Sequence, residues 1–166
     1  MIGIVIVSHS AKLAEGVREL ADQMTKGQVP LAVSGGIDDP QHPIGTDAFD
    51  VQRAIESVYS DDGVVVLMDL GSALLSAETA LEFLSEEQRG RIRLCEAPLV
   101  EGALAAAVQA KVSNDIELVL AEARGALAAK TAQLKAAAPD VTVPAATTVK
   151  TAAAKVRLTV CNRLGL

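Results

Sequence analysis

The chain has 166 residues, half of them hydrophobic, with 15 Lys and Arg against 21 Asp and Glu and a formal net charge of -6. That length holds one well-cored domain and a tail. The acidic balance excludes sequence-independent nucleic-acid binding, which needs clustered cations to displace counterions from phosphates, and two Phe, one Tyr and no Trp offer no base-stacking platform.

The first apolar run, residues 2–7, is unbroken, as expected for a central parallel strand buried on both faces, and it stops at Ser8, His9 and Ser10. His9 therefore stands where a strand hands over to a helix, on the sheet edge where ligands and chemistry collect in open α/β folds. Residues 11–26 follow as an amphipathic helix with Ser10 as N-cap, Leu13, Val17, Leu20 and Met24 on its apolar face and Lys12, Glu15, Arg18, Glu19 and Asp22 opposite. Its free N–H groups and positive dipole end lie beside His9 and form an anion site.

A short strand at 31–33 leads into a Gly-, Pro- and Asp-rich loop over 34–46, and a helix from about Thr46 to Tyr59 presents Val51, Ile55 and Val58 to the core. After the turn at Asp61, Asp62 and Gly63, residues 64–68 form a second buried strand. It ends at Asp69, Leu70, Gly71 and Ser72, so Asp69 takes the same topological place as His9. The next helix is expected to bury Leu74, Ala77, Leu81 and Leu84. A weak strand over 91–95 places Cys95 at its end, an Ala-rich helix starts near Leu99, and a last helix from about Asp115 aligns Ile116, Val119, Leu120, Ala123 and Leu127. The alternation predicts an α/β domain over 1–129 with a mainly parallel sheet and helices on both faces. Residues 130–155, rich in Ala, Thr, Lys and Pro, read as an interdomain linker, and 156–166 alternate like the beginning of a strand.

Cys95 and Cys161 have no second Cys or His at ligand spacing, so neither a disulfide framework nor a metal site is expected. No basic-then-apolar leader opens the sequence and no run reaches membrane-spanning length, which predicts a cytoplasmic protein without a membrane partner.

Neutral imidazole is a nucleophile, so His9 could accept a phosphoryl group directly, and a carboxylate on one ring nitrogen would fix the tautomer and stabilise the charge that develops. Asp69 is the candidate carboxylate. The backbone of Gly35, Gly36 and Gly71, with Ser10 and Ser72 at two helix starts, could cradle the phosphate. Each feature has a plainer alternative: the glycines as a turn, Asp69 as a helix cap, Ser72 as a backbone partner. His42 reads as solvated, and Asp38 with Asp39 as a turn. Four features converging on one edge favour a single site. The sequence holds no nucleotide-binding motif, so no cofactor is expected on this chain beyond a phosphohistidine at His9, and a donor and an acceptor must come from other proteins.

Residues 4–10 (IVIVSHS), 35–47 (GGIDDPQHPIGTD), 67–80 (LMDLGSALLSAETA) and 97–102 (APLVEG) closely resemble the phosphotransferase subunits of PEP-dependent dihydroxyacetone kinases. Their first domain is similar to the mannose-type enzyme IIA (EIIA) of the bacterial phosphotransferase system (PTS). The resemblance implies that His9 receives its phosphoryl group from an HPr protein, ultimately from phosphoenolpyruvate, and passes it to ADP held in the kinase's nucleotide-binding subunit. It also implies a homodimer and a sheet with an added edge strand. Residues 160–166 (VCNRLGL) resemble the opening of an HPr domain that stops short of its own histidine, so HPr function is not expected here. A IIA component of a mannose-type sugar permease, or a non-catalytic regulatory module, would share the His9 geometry.

Overall fold

The computed structural model describes residues 1–137. β1 (Gly3–Ser8), β2 (Leu31–Gly35), β3 (Val64–Met68) and β4 (Ile92–Cys95) form one parallel sheet in the order β2-β1-β3-β4. Around them lie α1 (Ala11–Thr25), α2 (Ala48–Val58), α3 (Gly71–Glu82), the short α4 (Glu86–Gly90), α5 (Leu99–Val112), α6 (Ile116–Gly125) and α7 (Leu127–Ala137).

The unbroken apolar runs follow from burial on two sides. Ile4 and Ile6 of β1, with Val65 and Leu67 of β3, face a core made by α1, α5 and α6, while Val5, Val7, Val64 and Val66 face a second core made by α2 and α3. All six residues of β1 are buried. From β1 the chain moves to one side to make β2, then crosses back over β1 to make β3 on the other. The carboxyl ends of β1 and β3 therefore flank the point where the winding reverses and a crevice opens between the helices of the two faces. His9 and Asp69 are the residues that follow those two ends.

Two helix faces differ from the expected ones, for one reason. On α1 the buried residues are Ala14, Val17, Ala21 and Thr25, while Leu13, Leu20 and Met24 are exposed. On α3 they are Ala73, Ala77 and Ala80, with Leu74 exposed and Leu81 only partly buried; Leu84, just beyond the helix, is buried as expected. Where a helix lies close against a sheet, small side chains occupy the line of contact and larger apolar ones are displaced to the flanks. Val51, Ile55 and Val58 of α2 are buried as expected.

The final helix also differs. α6 stops at Gly125, and Leu127 opens α7 as an exposed residue rather than extending the apolar face of α6. α7 runs to Ala137, so residues 130–137 of the expected linker are helical, consistent with their Ala, Lys, Gln and Leu content and the absence of proline before Pro139. The rest of the linker, Cys161 and the HPr-like start lie outside the described residues. The sheet of the described residues has four strands and lacks the added edge strand. Among these residues no helix is long and apolar enough to cross a membrane.

The small-residue contact is testable. Ala21→Leu, at a position with no exposed surface, overpacks the buried face of α1 and lowers stability by about 1–3 kcal/mol. Leu20→Ala, one residue away, changes it by less than about 0.5 kcal/mol. Urea unfolding of both variants makes the comparison, and equal losses would contradict this packing.

Candidate functional site

The site grows from the register of β1 and β3. Val7 pairs with Met68, and the Asp69 N–H donates to the Val7 carbonyl at 3.2 Å, which carries the ladder one step past the strand and sets the Asp69 carboxylate beside Ser8 and His9. Four donors converge on it: the Ser8 hydroxyl (2.8 Å) and His9 N–H (2.9 Å) on Oδ2, and His9 Nδ1 (2.8 Å) and Leu70 N–H (2.7 Å) on Oδ1. Burial pushes the Asp69 carboxyl up, but these hydrogen bonds together outweigh it and hold the group below its ordinary value. The plainer reading of Asp69, a helix cap, is not realised: Leu70 is the N-cap of α3, and Asp69 bonds only the N–H of that cap residue.

An ionised carboxylate can only accept, so Nδ1 of His9 carries a proton, and in the neutral ring Nε2 carries the lone pair. Nε2 meets the Ser72 hydroxyl at 2.6 Å. Asp69 thus takes Nδ1, and Nε2 is the ring nitrogen left free of the carboxylate. The His9 side chain keeps 19% of its surface exposed.

Ser72 sits in the first turn of α3, whose N-terminus no side chain caps, so the positive end of that helix is directed at the space beside Nε2. Gly71 borders open space. Ser10 caps α1 through Leu13 N–H at 3.4 Å, as expected. Gly35 lies in register with Ser8, so near that a Cβ there would stand 2.7 Å from the Ser8 carbonyl, and Gly36 has φ +77°, which favours glycine. Gly35 therefore closes β2 rather than making a turn with Gly36, and the two glycines bring the loop over 36–47 against the start of α1.

That loop is tied down. Gly45 N–H donates to the His9 carbonyl at 2.9 Å, Ile37 N–H to the Pro43 carbonyl at 3.1 Å, and Thr46 shares a hydrogen bond of 2.7 Å with Ser76 of α3. His42 is exposed, 3.4 Å from the Asp39 carboxylate, and Asp39 accepts from the N–H groups of Gln41 and His42 in a turn, as the residues suggested. Among the described residues no cluster of His, Cys, Asp and Glu could hold a metal. Cys95 ends β4 and is buried, which pushes its thiol up and away from nucleophilic use.

Sequence reasoning missed Ser8. A hydroxyl ending an apolar strand is the only trace it leaves in the sequence, and its meaning depends on the strand register. A groove of about 280 Å³ opens beside Asp69, lined by Met68, Leu70, Leu74, Leu94 and Cys95. Leu70, Leu74 and Leu75, together with Leu13, Ile37 and Ile44 from α1 and the loop, are exposed large apolar residues on segments that meet at this sheet edge.

Residues 3–120 match the family model described as EIIA-man, PTS system fructose IIA component, and the chain belongs to this family. Its relatives narrow the likeness to one branch. The PEP-dependent dihydroxyacetone kinase phosphoryl donor subunit DhaM of Escherichia coli (strain K12) is 58% identical over 135 residues, which is 81% of this chain and 29% of that protein. The corresponding subunit of dihydroxyacetone kinase 2 in Listeria innocua is 42% identical over 122 residues and is covered to 96%. The crystal structure of a protein of unknown function, EF1359, superposes with a TM-score of 0.64 at 36% identity, covering 75% of this chain and 94% of that one. The chain thus spans less than a third of the E. coli relative and nearly the whole of the Listeria one.

The carboxylate's depressed pKa gives the site an acid dependence. A group lowered in the folded state stabilises it above the unfolded pKa, about 3.9 for Asp, and loses that contribution as pH falls through the folded value. The stability advantage of wild type over Asp69→Asn therefore shrinks below about pH 4. Denaturant unfolding across a pH series measures it, and a difference that persists unchanged into acid would count against the assignment.

Proposed function

We propose that this chain is a phosphoryl carrier of the PEP-dependent phosphotransferase system, serving a dihydroxyacetone kinase. The observation that carries the proposal is the His9 ring held by Asp69 at Nδ1, with Nε2 turned toward Ser72 and an uncapped helix start. The Nε2 lone pair attacks the phosphorus of a phosphohistidine on HPr whose other ring nitrogen is protonated; the new N–P bond forms as the donor's N–P bond breaks, and the donor imidazole, keeping that proton, leaves neutral. The phosphorylated ring keeps its Nδ1 proton and is positively charged, and Asp69 offsets that charge. The Ser72 hydroxyl moves from Nε2 to a phosphoryl oxygen, with the N–H groups of Gly71 and Ser72 and the α3 dipole beside it. The Ser10 end of α1 and the backbone of Gly35 and Gly36 shape the other wall.

In the second half the terminal phosphate oxygen of ADP, bound in the kinase's nucleotide-binding subunit, attacks the same phosphorus, which forms ATP there and returns neutral His9. Dihydroxyacetone is phosphorylated on the kinase, and this chain binds no cofactor of its own. The reading is supported by the role for which the relatives are named, phosphoryl donor subunit, which the short Listeria protein shares with the long E. coli one. It takes residues 1–129 as the carrier domain, 130–155 as a connector and 156–166 as the start of an HPr-like domain, in a cytoplasmic homodimer.

Incubation with phosphoenolpyruvate, enzyme I and HPr should add one acid-labile, alkali-stable phosphate, seen by intact mass and absent in His9→Ala. The ADP-loaded kinase subunit should then discharge it; discharge only by a sugar-permease IIB protein would move the chain to a permease, and no phosphate on wild type would leave a binding module. Ser72→Ala should slow uptake by about 10²-fold, the effect of removing one donor to a developing anion.

The exposed leucines predict where partners dock. Leu75→Asp should raise the HPr or kinase concentration needed for half-maximal transfer by about 10-fold. Hydrolysis of the isolated phosphoprotein should be unchanged. Titrated transfer rates decide it, and an unaltered concentration dependence would remove this face from the docking surface.

A further inference from the structure

We propose that Ser8 is a positioning residue for phosphoryl transfer: its buried hydroxyl locks the Asp69 carboxylate so that one oxygen lies on Nδ1 of His9. The inference rests on the carrier function above and adds a residue to it.

Ser8, Thr25 and Ser34 are the buried polar side chains among the described residues. Thr25 bonds back to the carbonyls of its own helix, and the Ser34 hydroxyl has no partner, so Ser8 alone of the three acts on a charged group. Its single proton has one place to go. Ser10 N–H, which can only donate, points at the Ser8 oxygen at 3.1 Å, and the carboxylate, which can only accept, stands at 2.8 Å. The hydroxyl therefore receives from the start of α1 and gives to Oδ2.

The consequence lies at the other carboxylate oxygen. With Ser8 and His9 N–H both on Oδ2, the carboxylate plane is pinned and Oδ1 is held on the imidazole N–H at 2.8 Å. Removing the hydroxyl leaves Oδ2 with His9 N–H alone, in a spot where Ser8 itself has no exposed surface for water to replace it. The carboxylate then turns more freely, its hold on Nδ1–H loosens, and the ring populates the tautomer with the proton on Nε2, the nitrogen that must attack. Ser8 thus acts through Asp69 on which nitrogen of His9 is nucleophilic, much as a group hydrogen-bonded to the far nitrogen of a metal-bound histidine fixes its tautomer.

The test reads the tautomer and the rate separately. In two-bond ¹H–¹⁵N spectra of the unphosphorylated protein, wild type should show the Nδ1–H form and Ser8→Ala a mixture with Nε2–H, both with dispersed amide spectra. Uptake from phospho-HPr should fall by about 10-fold or more in Ser8→Ala, with the HPr concentration at half-maximal rate unchanged. Should Ser8→Ala not fold, Ser8→Cys, which keeps the size and donates weakly, carries the same comparison. A folded variant with the wild-type tautomer and rate overturns the proposal. Because the tautomer is measured without any donor, a shifted tautomer together with a wild type that takes no phosphate would strike the carrier function and leave the hold of Ser8 on Asp69 standing.

Discussion

The site depends on one saturated carboxylate. Asp69 lies in a partly buried position where an unpaired charge would be expensive, and it is tolerated because each oxygen takes two donors. The donors come from the end of β1, from the histidine that follows it, and from the entry to α3. The interaction that orients the imidazole thus also joins two strands and a helix start, so the geometry of the His9 site and the local structure share the same bonds. A slip of one residue between β1 and β3 would offer Met68 or Leu70 to His9 in place of Asp69, which makes the register of buried strands a functional constraint.

That register is secured by the two-sided core. The β-branched and leucine residues of β1 and β3 fill both faces, and alanines on α1, α3 and α5 let helices settle close to the sheet or to one another. Close packing brings the starts of α1 and α3, from opposite faces of the sheet, to the same edge, and the loop over 36–47 is strapped between them through Gly45 and Thr46. The rigid layer lies beneath His9, and the exposed leucines and isoleucines lie around it.

Much of this was legible in the residues. Two unbroken apolar runs ending in His and Asp gave the parallel sheet, the edge and the pairing of His9 with Asp69, because burial on two faces leaves a pattern that needs no tertiary knowledge. The faces of α1 and α3 were displaced because hydrophobic periodicity weighs Leu above Ala, whereas the approach distance to a sheet weighs volume; on α1 the two stripes differ by a single residue, Leu13, Leu20 and Met24 against Ala14, Ala21 and Thr25. Ser8 and the Thr46–Ser76 bond were invisible for a different reason: they join segments far apart in the chain, and only the register decides that they meet. The identity of the free nitrogen on His9 belongs to the same class of fact.

The anchoring of His9 has a kinetic consequence. Its N–H is bound to Asp69, its carbonyl to Gly45, and its ring to Asp69 and Ser72, so the residue is not built to swing between two stations. A stationary nucleophile with one open side serves one macromolecule at a time, and the second can arrive only after the first has gone. Under the proposed carrier function, this design implies a ping-pong cycle in which donor and acceptor exclude each other. On that reading, an excess of either partner in its unphosphorylated form would slow the proposed relay by occupying the same small patch of surface.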